Sequence, residues 1–270
     1  MLPADIAAEA LQVRTSSIVS VESLKEGLTN ASWLVRATDD AVVVRISSPH
    51  SQQLQVDRVA EAWTLNLVAE AAIGPEVLLC DLSRRLLVTR YLGPTCAPAD
   101  MHEPKRIARL AQLLHKLHSL PVPASVNAVS WPLVIEEYLA TLTTLERRSP
   151  LEQHDRGVRA HALALALELE LEEGALRCLC HNDVHHLNIV DRERLWLLDW
   201  EYAGSGEPYF DLASVCFYHD FSLRERALLL EAYHGRVDPA ALERLAKSCL
   251  VFEYVHGLWH EVRASLDVNA

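Results

Sequence analysis

The sequence predicts an α+β fold in two lobes, a small antiparallel β-sheet lobe followed by a mostly helical one. In the first third, short β-branched runs alternate with polar turns. Beyond residue 103, apolar residues recur at helical spacing over long stretches. Between the two textures lie Gly93, Pro94 and Pro98, the residues of a hinge. With 270 residues, 50% of them hydrophobic, the chain is able to bury one large core or two modest ones.

Residues 17–24 and 32–37 read as strands, and Thr38-Asp39-Asp40 turns the chain into the run 41–46, completing a hairpin with a strand before it. A helix is predicted over 52–72, from an apolar stripe of Leu54, Val56, Val59, Ala62, Trp63, Leu65 and Leu67, and Gly74-Pro75 ends it. Strands 76–80 and 86–90 follow, separated by the polar turn 81–85. Three strands, a helix and two strands make a compact lobe over 1–92. The second lobe, 93–270, carries helices over 103–120, 132–147 and 155–172, then three more between 208 and 262. One β-like island interrupts them: 175–180, the loop at His181, Ile189-Val190, and 195–198 across the turn 191–194. A polar loop held between short apolar strands is a favourable place to build a site.

The formal charge of −12 argues against a nucleic-acid-binding surface, which needs clustered Lys and Arg. No apolar run is long enough to span a bilayer, and the longest candidate, 161–180, is interrupted by several Glu. Asp5 and Glu9 stand where an export signal carries positive charge, so a cytoplasmic protein is expected. The six cysteines show no scaffold spacing and read as reduced thiols. Cys178 and Cys180, near His181, His185 and His186, raise a zinc cluster as an alternative. Cysteines alternating on a strand, with Asp183 between the histidines, do not readily converge on one tetrahedral ion.

The stretch His181-Asn182-Asp183-Val184-His185-His186-Leu187-Asn188, then Leu198-Asp199-Trp200-Glu201, carries the chemistry. Phosphoryl transfer needs a carboxylate beside the attacking hydroxyl and oxygen ligands for magnesium, and a kinase catalytic loop supplies an Asp and, five residues on, an Asn. Asp183 and Asn188 have that spacing. Asp199 follows an apolar hairpin strand, where kinases place a second metal-binding Asp, and Glu201 is a further candidate ligand.

On HNDVHHLN and LLDWEYAGSGEPYFDLA the chain resembles the aminoglycoside phosphotransferase and choline kinase superfamily, in particular its choline, ethanolamine and thiamine kinase branch. The resemblance implies a protein-kinase-like fold, ATP as co-substrate and Mg2+ as cofactor. It implies that Asp211 braces the catalytic loop and that His181 packs beneath it. It also implies that Gly27, Thr29 and Asn30, in GLTNAS, form a turn over the ATP phosphates, where backbone N–H groups meet phosphate oxygens. Arg45, in VVVRI, stands where protein kinases place a phosphate-binding Lys, and Glu61 on the following helix would pair with it, with Glu70 the other acid on that helix. ATP would lie under the hinge at Tyr91 and Leu92. Between Asp199 and Asp211 there is no room for the activation segment with which protein kinases handle peptides, so a free metabolite is the expected substrate.

Near the C-terminus, Phe252, Glu253, Tyr254, His256, Trp259 and His260 combine rings with an acid, a set suited to an organic cation. The competing reading is a helix burying an aromatic stripe. Trp200, Glu253, Tyr254 and Trp259 are the substrate candidates, while His185 and His186 read as loop filler or substrate-side polar groups. The expected partners are ATP and a small hydroxylated, cationic metabolite, with no nucleic acid and no membrane. A choline- or thiamine-like alcohol ranks first, a sugar or aminoglycoside next, and a catalytically silent nucleotide-binding regulator is the reading of another class.

Overall fold

Five β-branched or apolar runs pair into one antiparallel sheet in the order β1-β2-β3-β5-β4, with β1 Ile18–Leu24, β2 Ala31–Ala37, β3 Ala41–Ile46, β4 Val77–Asp81 and β5 Leu86–Arg90. The computed structural model describes residues 2–24, 29–122, 126–145, 156–171 and 177–267. The period of two along β3 sends Val42 and Val44 to one face, where they pack with Val35, Val88, Ile6 and Ala7. Val43 and Arg45 face the other way and line a cleft. The sheet's outer cover is a helix that the sequence reading did not anticipate, α1 Pro3–Leu11, which starts on a proline and buries Ile6, Ala7 and Ala8.

The helix predicted over 52–72 is shorter and turned to a different face. It is α2, Arg58–Glu70, and it begins where the Asp57 carboxylate accepts from Val59 N at 2.9 Å and Ala60 N at 3.0 Å. Of the predicted stripe, Val59 and Trp63 are more than half exposed, at 54% and 57%. The buried face is Ala60, Glu61, Thr64, Leu65 and Val68. Its phase is set by an ion pair between Glu61 and Arg45 of the sheet, not by maximal apolar content.

After residue 93 come α3 Pro104–His118, α4 Trp131–Thr144, α5 Arg156–Leu171, α6 Pro208–Tyr218, α7 Leu223–His234 and α8 Pro239–Asp267. They enclose a large core into which Leu65 and Val68 of α2 also reach. The β island resolves into two small pairs, β6 Cys178–Cys180 with β9 Gly204–Gly206, and β7 Ile189–Asp191 with β8 Leu195–Leu197. At Gly204 a Cβ would meet Val129 Cγ2 at 2.4 Å and Asn127 O at 3.1 Å. Only glycine lets residues 127–129 close on β9, through Val129 N to Ser205 O and Ser205 N to Asn127 O, both 2.8 Å. Cys178 and Cys180 point to His118 of α3, and not to His185 and His186 as the zinc alternative required. Among the described residues, no helix is long and apolar enough to cross a membrane.

Candidate active site

The loop 181–188 is held from below by one face of α6. Asp211, Ser214 and Tyr218 lie at i, i+3 and i+7 on that helix, and each reaches the loop. The Asp211 carboxylate accepts from His181 N at 2.9 Å and Asn182 N at 2.6 Å. Ser214 Oγ accepts from Val184 N at 3.1 Å, and the Tyr218 hydroxyl donates to Asp183 Oδ1 at 2.8 Å. Asn182 takes a left-handed conformation, φ 67°, and its side-chain amide donates to Tyr202 O at 2.8 Å. His118 of α3 donates through Nε2 to Asp211 at 2.9 Å, with Nδ1 meeting the Tyr233 hydroxyl at 2.7 Å. His181 is fully buried on Trp200 and bonds Leu198 O through Nε2 at 2.7 Å. Burial pushes its pKa down and keeps it neutral.

Asp183 therefore stands with both oxygens engaged, Oδ1 by Tyr218 and Oδ2 by the Asn188 amide at 3.2 Å, with His185 Nε2 at 3.4 Å. Burial alone would raise its pKa, but the contact with His185 and the hydrogen bond from Tyr218 hold it below the usual carboxylate value. Asn188 also donates to Asp183 O at 3.0 Å, and its main-chain carbonyl accepts from Leu198 N at 2.8 Å. Asp199, at φ 56° just after β8, projects its carboxylate into the cleft and accepts from Arg45 at 2.9 Å. Arg45 in turn bonds Glu61 at 2.6 Å. Both are nearly buried, with side chains 9% and 3% exposed.

Glu201 is buried, and its pKa is pushed up to about 7 by burial first and then by Asp199. Its Oε2 accepts from Asn30 at 2.8 Å and from Arg58 at 2.9 Å. The other predicted residues fall as follows. Thr29 lines the cleft, Gly27 lies outside the described residues, and Tyr91 and Leu92 border the opening beneath the sheet. The cleft has a volume of about 1210 Å³. Its donor chemistry fits a divalent cation: Asn188, Asp199 and Glu201 offer hard oxygens, and the two carboxylates are balanced by Arg45 and Arg58.

At its far end the cleft is walled by Tyr202, Tyr218, Phe252, His256, Trp259 and His260. Trp259 Nε1 donates to the Tyr202 hydroxyl at 2.7 Å, and His256 and His260 meet at 3.1 Å. Burial first, then His260, pushes the His256 pKa down to about 4. Three predicted substrate contacts need correction. Trp200 borders the cleft but is fully buried and gives its indole N–H to Leu197 O, so it packs in the core under His181 and presents no open face to a substrate. Tyr254 is buried in the helical core, and Glu253 is exposed and off the cleft. On α8 the cleft face is 252, 255, 256, 259 and 260, and positions 253 and 254 are rotated away from it. Sequence reasoning missed Arg58, Tyr218, Tyr202 and His118. Two signals pointed there: Arg58 lies three residues before Glu61, and Tyr218 lies two helical turns after Asp211.

A five-stranded antiparallel sheet over a helical body, with an acidic loop facing a basic strand, defines the class as a kinase-like phosphotransferase fold. The chain belongs to the phosphotransferase enzyme family, matching it over residues 20–246. It is 26% identical over 210 residues to LicA of Haemophilus influenzae, covering 77% of this chain but only 60% of that relative. Among solved structures, choline kinase LicA from Streptococcus pneumoniae shares the fold at a TM-score of 0.82 and 23% identity, over 97% of this chain and 91% of that one. A choline/ethanolamine kinase family protein from Mesorhizobium loti follows at 0.78 and 27% identity, over 98% of this chain and 88% of that one.

Proposed function

We propose that the chain is an ATP-dependent kinase that phosphorylates the hydroxyl of a small cationic amino alcohol, of which choline is the best fit. The observation that carries this is the position of Asp183, between the oxygen donors Asn188 and Asp199 and the aromatic wall of Tyr202, Tyr218, Phe252 and Trp259. Rings take a quaternary ammonium without needing hydrogen-bond acceptors, whereas a primary ammonium requires them. A thiazolium ring is the second candidate for the same wall.

Residues 1–92 would hold the nucleotide and 93–270 the acceptor. Adenine would sit near Tyr91 and Leu92, with Thr29, Asn30 and Arg45 toward the phosphates. Asn188, Asp199 and Glu201 would hold Mg2+, which neutralises phosphate charge when bound. Asp183 orients the acceptor hydroxyl and takes its proton as the oxygen bonds to the γ-phosphorus and the bond to the ADP leaving oxygen breaks. The test is a coupled ADP-release assay with choline, ethanolamine, thiamine, amino sugars and kanamycin, with Asp183→Asn as control. Saturable turnover with choline, lost in the variant, is expected. Variant turnover near wild type would sink the role of Asp183, and silence with every acceptor would sink the kinase reading.

A further inference from the structure

The first residue of α2, Arg58, meets four segments of the chain at once. Its Nη1 donates to Glu61 at 2.8 Å and to Glu201 at 2.9 Å, its Nη2 to Asn30 Oδ1 at 2.9 Å, and its Nε to Ser51 Oγ at 3.1 Å. The side chain is 16% exposed, against 3% for Glu61 and 4% for Glu201. Asn30 closes a triangle, donating to the same Glu201 oxygen at 2.8 Å and accepting from Ser48 N at 3.1 Å. Glu61 is shared as well, with Oε1 on Arg45 and Oε2 on Arg58. Two guanidinium groups thus face three carboxylates, Glu61, Asp199 and Glu201. Arg58 touches the turn at Asn30, the loop before α2, the helix and the acidic loop after β8 together, and Asn30, its partner in the turn, bonds the same three other segments through Ser48, Arg58 and Glu201.

We propose that Arg58 is a positioning residue, a pin that holds the turn at Asn30 and the loop at Glu201 in register and, through Glu61, fixes Arg45. The planar fork is required, because a lysine has one nitrogen and cannot span Asn30, Glu61, Glu201 and Ser51 from it. The inference rests on the kinase reading for its catalytic meaning, but its structural content does not. Arg84, a half-buried arginine that bonds Glu9 and Asp81 away from the cleft, serves as the stability control.

The experiment compares wild type, Arg58→Gln, Arg58→Lys, Asn30→Ala and the control Arg84→Gln by hydrogen-exchange mass spectrometry without nucleotide, and by titration with a fluorescent N-methylanthraniloyl ADP in magnesium. Arg58→Gln should raise exchange simultaneously in peptides covering 29–33, 47–57 and 199–205. It should also weaken the ADP analogue by roughly tenfold or more, the scale of coupling within one charged network. Arg58→Lys should resemble Arg58→Gln, and adding Asn30→Ala to Arg58→Gln should weaken binding little further. Faster exchange confined to the start of α2, or unchanged binding with a loss of thermal stability like that of Arg84→Gln, would overturn the proposal. If wild type neither turns over any acceptor nor binds the analogue, the kinase reading fails while the exchange data still decide whether Arg58 pins the three segments.

Discussion

Replacing Asp211 with Asn tests how the loop 181–188 is supported. The carboxylate is fully buried and accepts three hydrogen bonds, from His181 N at 2.9 Å, Asn182 N at 2.6 Å and His118 Nε2 at 2.9 Å. An asparagine has one oxygen, so its NH2 must face one of the two carboxylate-oxygen positions. Facing His118, it finds an acceptor if the imidazole changes tautomer, but His181 N is then left buried without a partner. Facing Asn182 N, it orphans that donor instead. An orphaned buried donor costs about 1–3 kcal/mol, and the bonds that survive lose their charge assistance, for a total of about 3 kcal/mol. For a chain of this size that corresponds to a melting point lower by roughly 6–12 °C. Net stabilities of about 5–15 kcal/mol leave the variant folded at room temperature. The bonds lost orient Asn182 and hence Asp183, so turnover in the ADP-release assay should fall by about tenfold or more. A variant that melts within about 2 °C of wild type, with unchanged turnover, would refute the bracing role.

Tyr218→Phe removes the 2.8 Å bond to Asp183 Oδ1 while leaving the ring in the aromatic wall of the cleft. In the proposed role Asp183 acts ionised, so activity should be lost as pH falls through its pKa. With one of the groups that depress that pKa removed, the acidic limb of the rate profile should move to higher pH, and a superimposable profile would count against the contact. Trp259→Ala should raise the choline KM by roughly tenfold, as expected for a lost cation–π face, while Glu253→Gln should leave it unchanged because that side chain is exposed and off the cleft. Equal effects at the two positions would reverse the assignment of the α8 face.

The α+β fold and the five strand runs of the sheet were legible in the amino acids to within a residue at each end, because a period of two with β-branched residues and polar turns acts locally, whereas the glycine-rich β9 was not. The same is true of the Asp183 to Asn188 spacing and of Asp199 after its hairpin, since both are contained in a few consecutive residues. The phase of α2 was not, because its inward face is chosen by the guanidinium of Arg45 on a strand that ends a dozen residues earlier. Nor was the cleft face of α8, where Phe252, Glu253 and Tyr254 are all plausible by composition and only packing against α6 separates them.

The chain alone thus determined the family, the order of the five sheet strands and most of the helices, and the few consecutive residues of the acidic loop, but not α1 or β9. Tertiary structure decided that Tyr218 and His118 serve that loop, that Arg58 joins four segments, and that Trp200 is core. The physical reason is range. Backbone preference and short motifs are set by neighbours in sequence, while a buried polar or charged side chain takes its role from whichever distant group satisfies it.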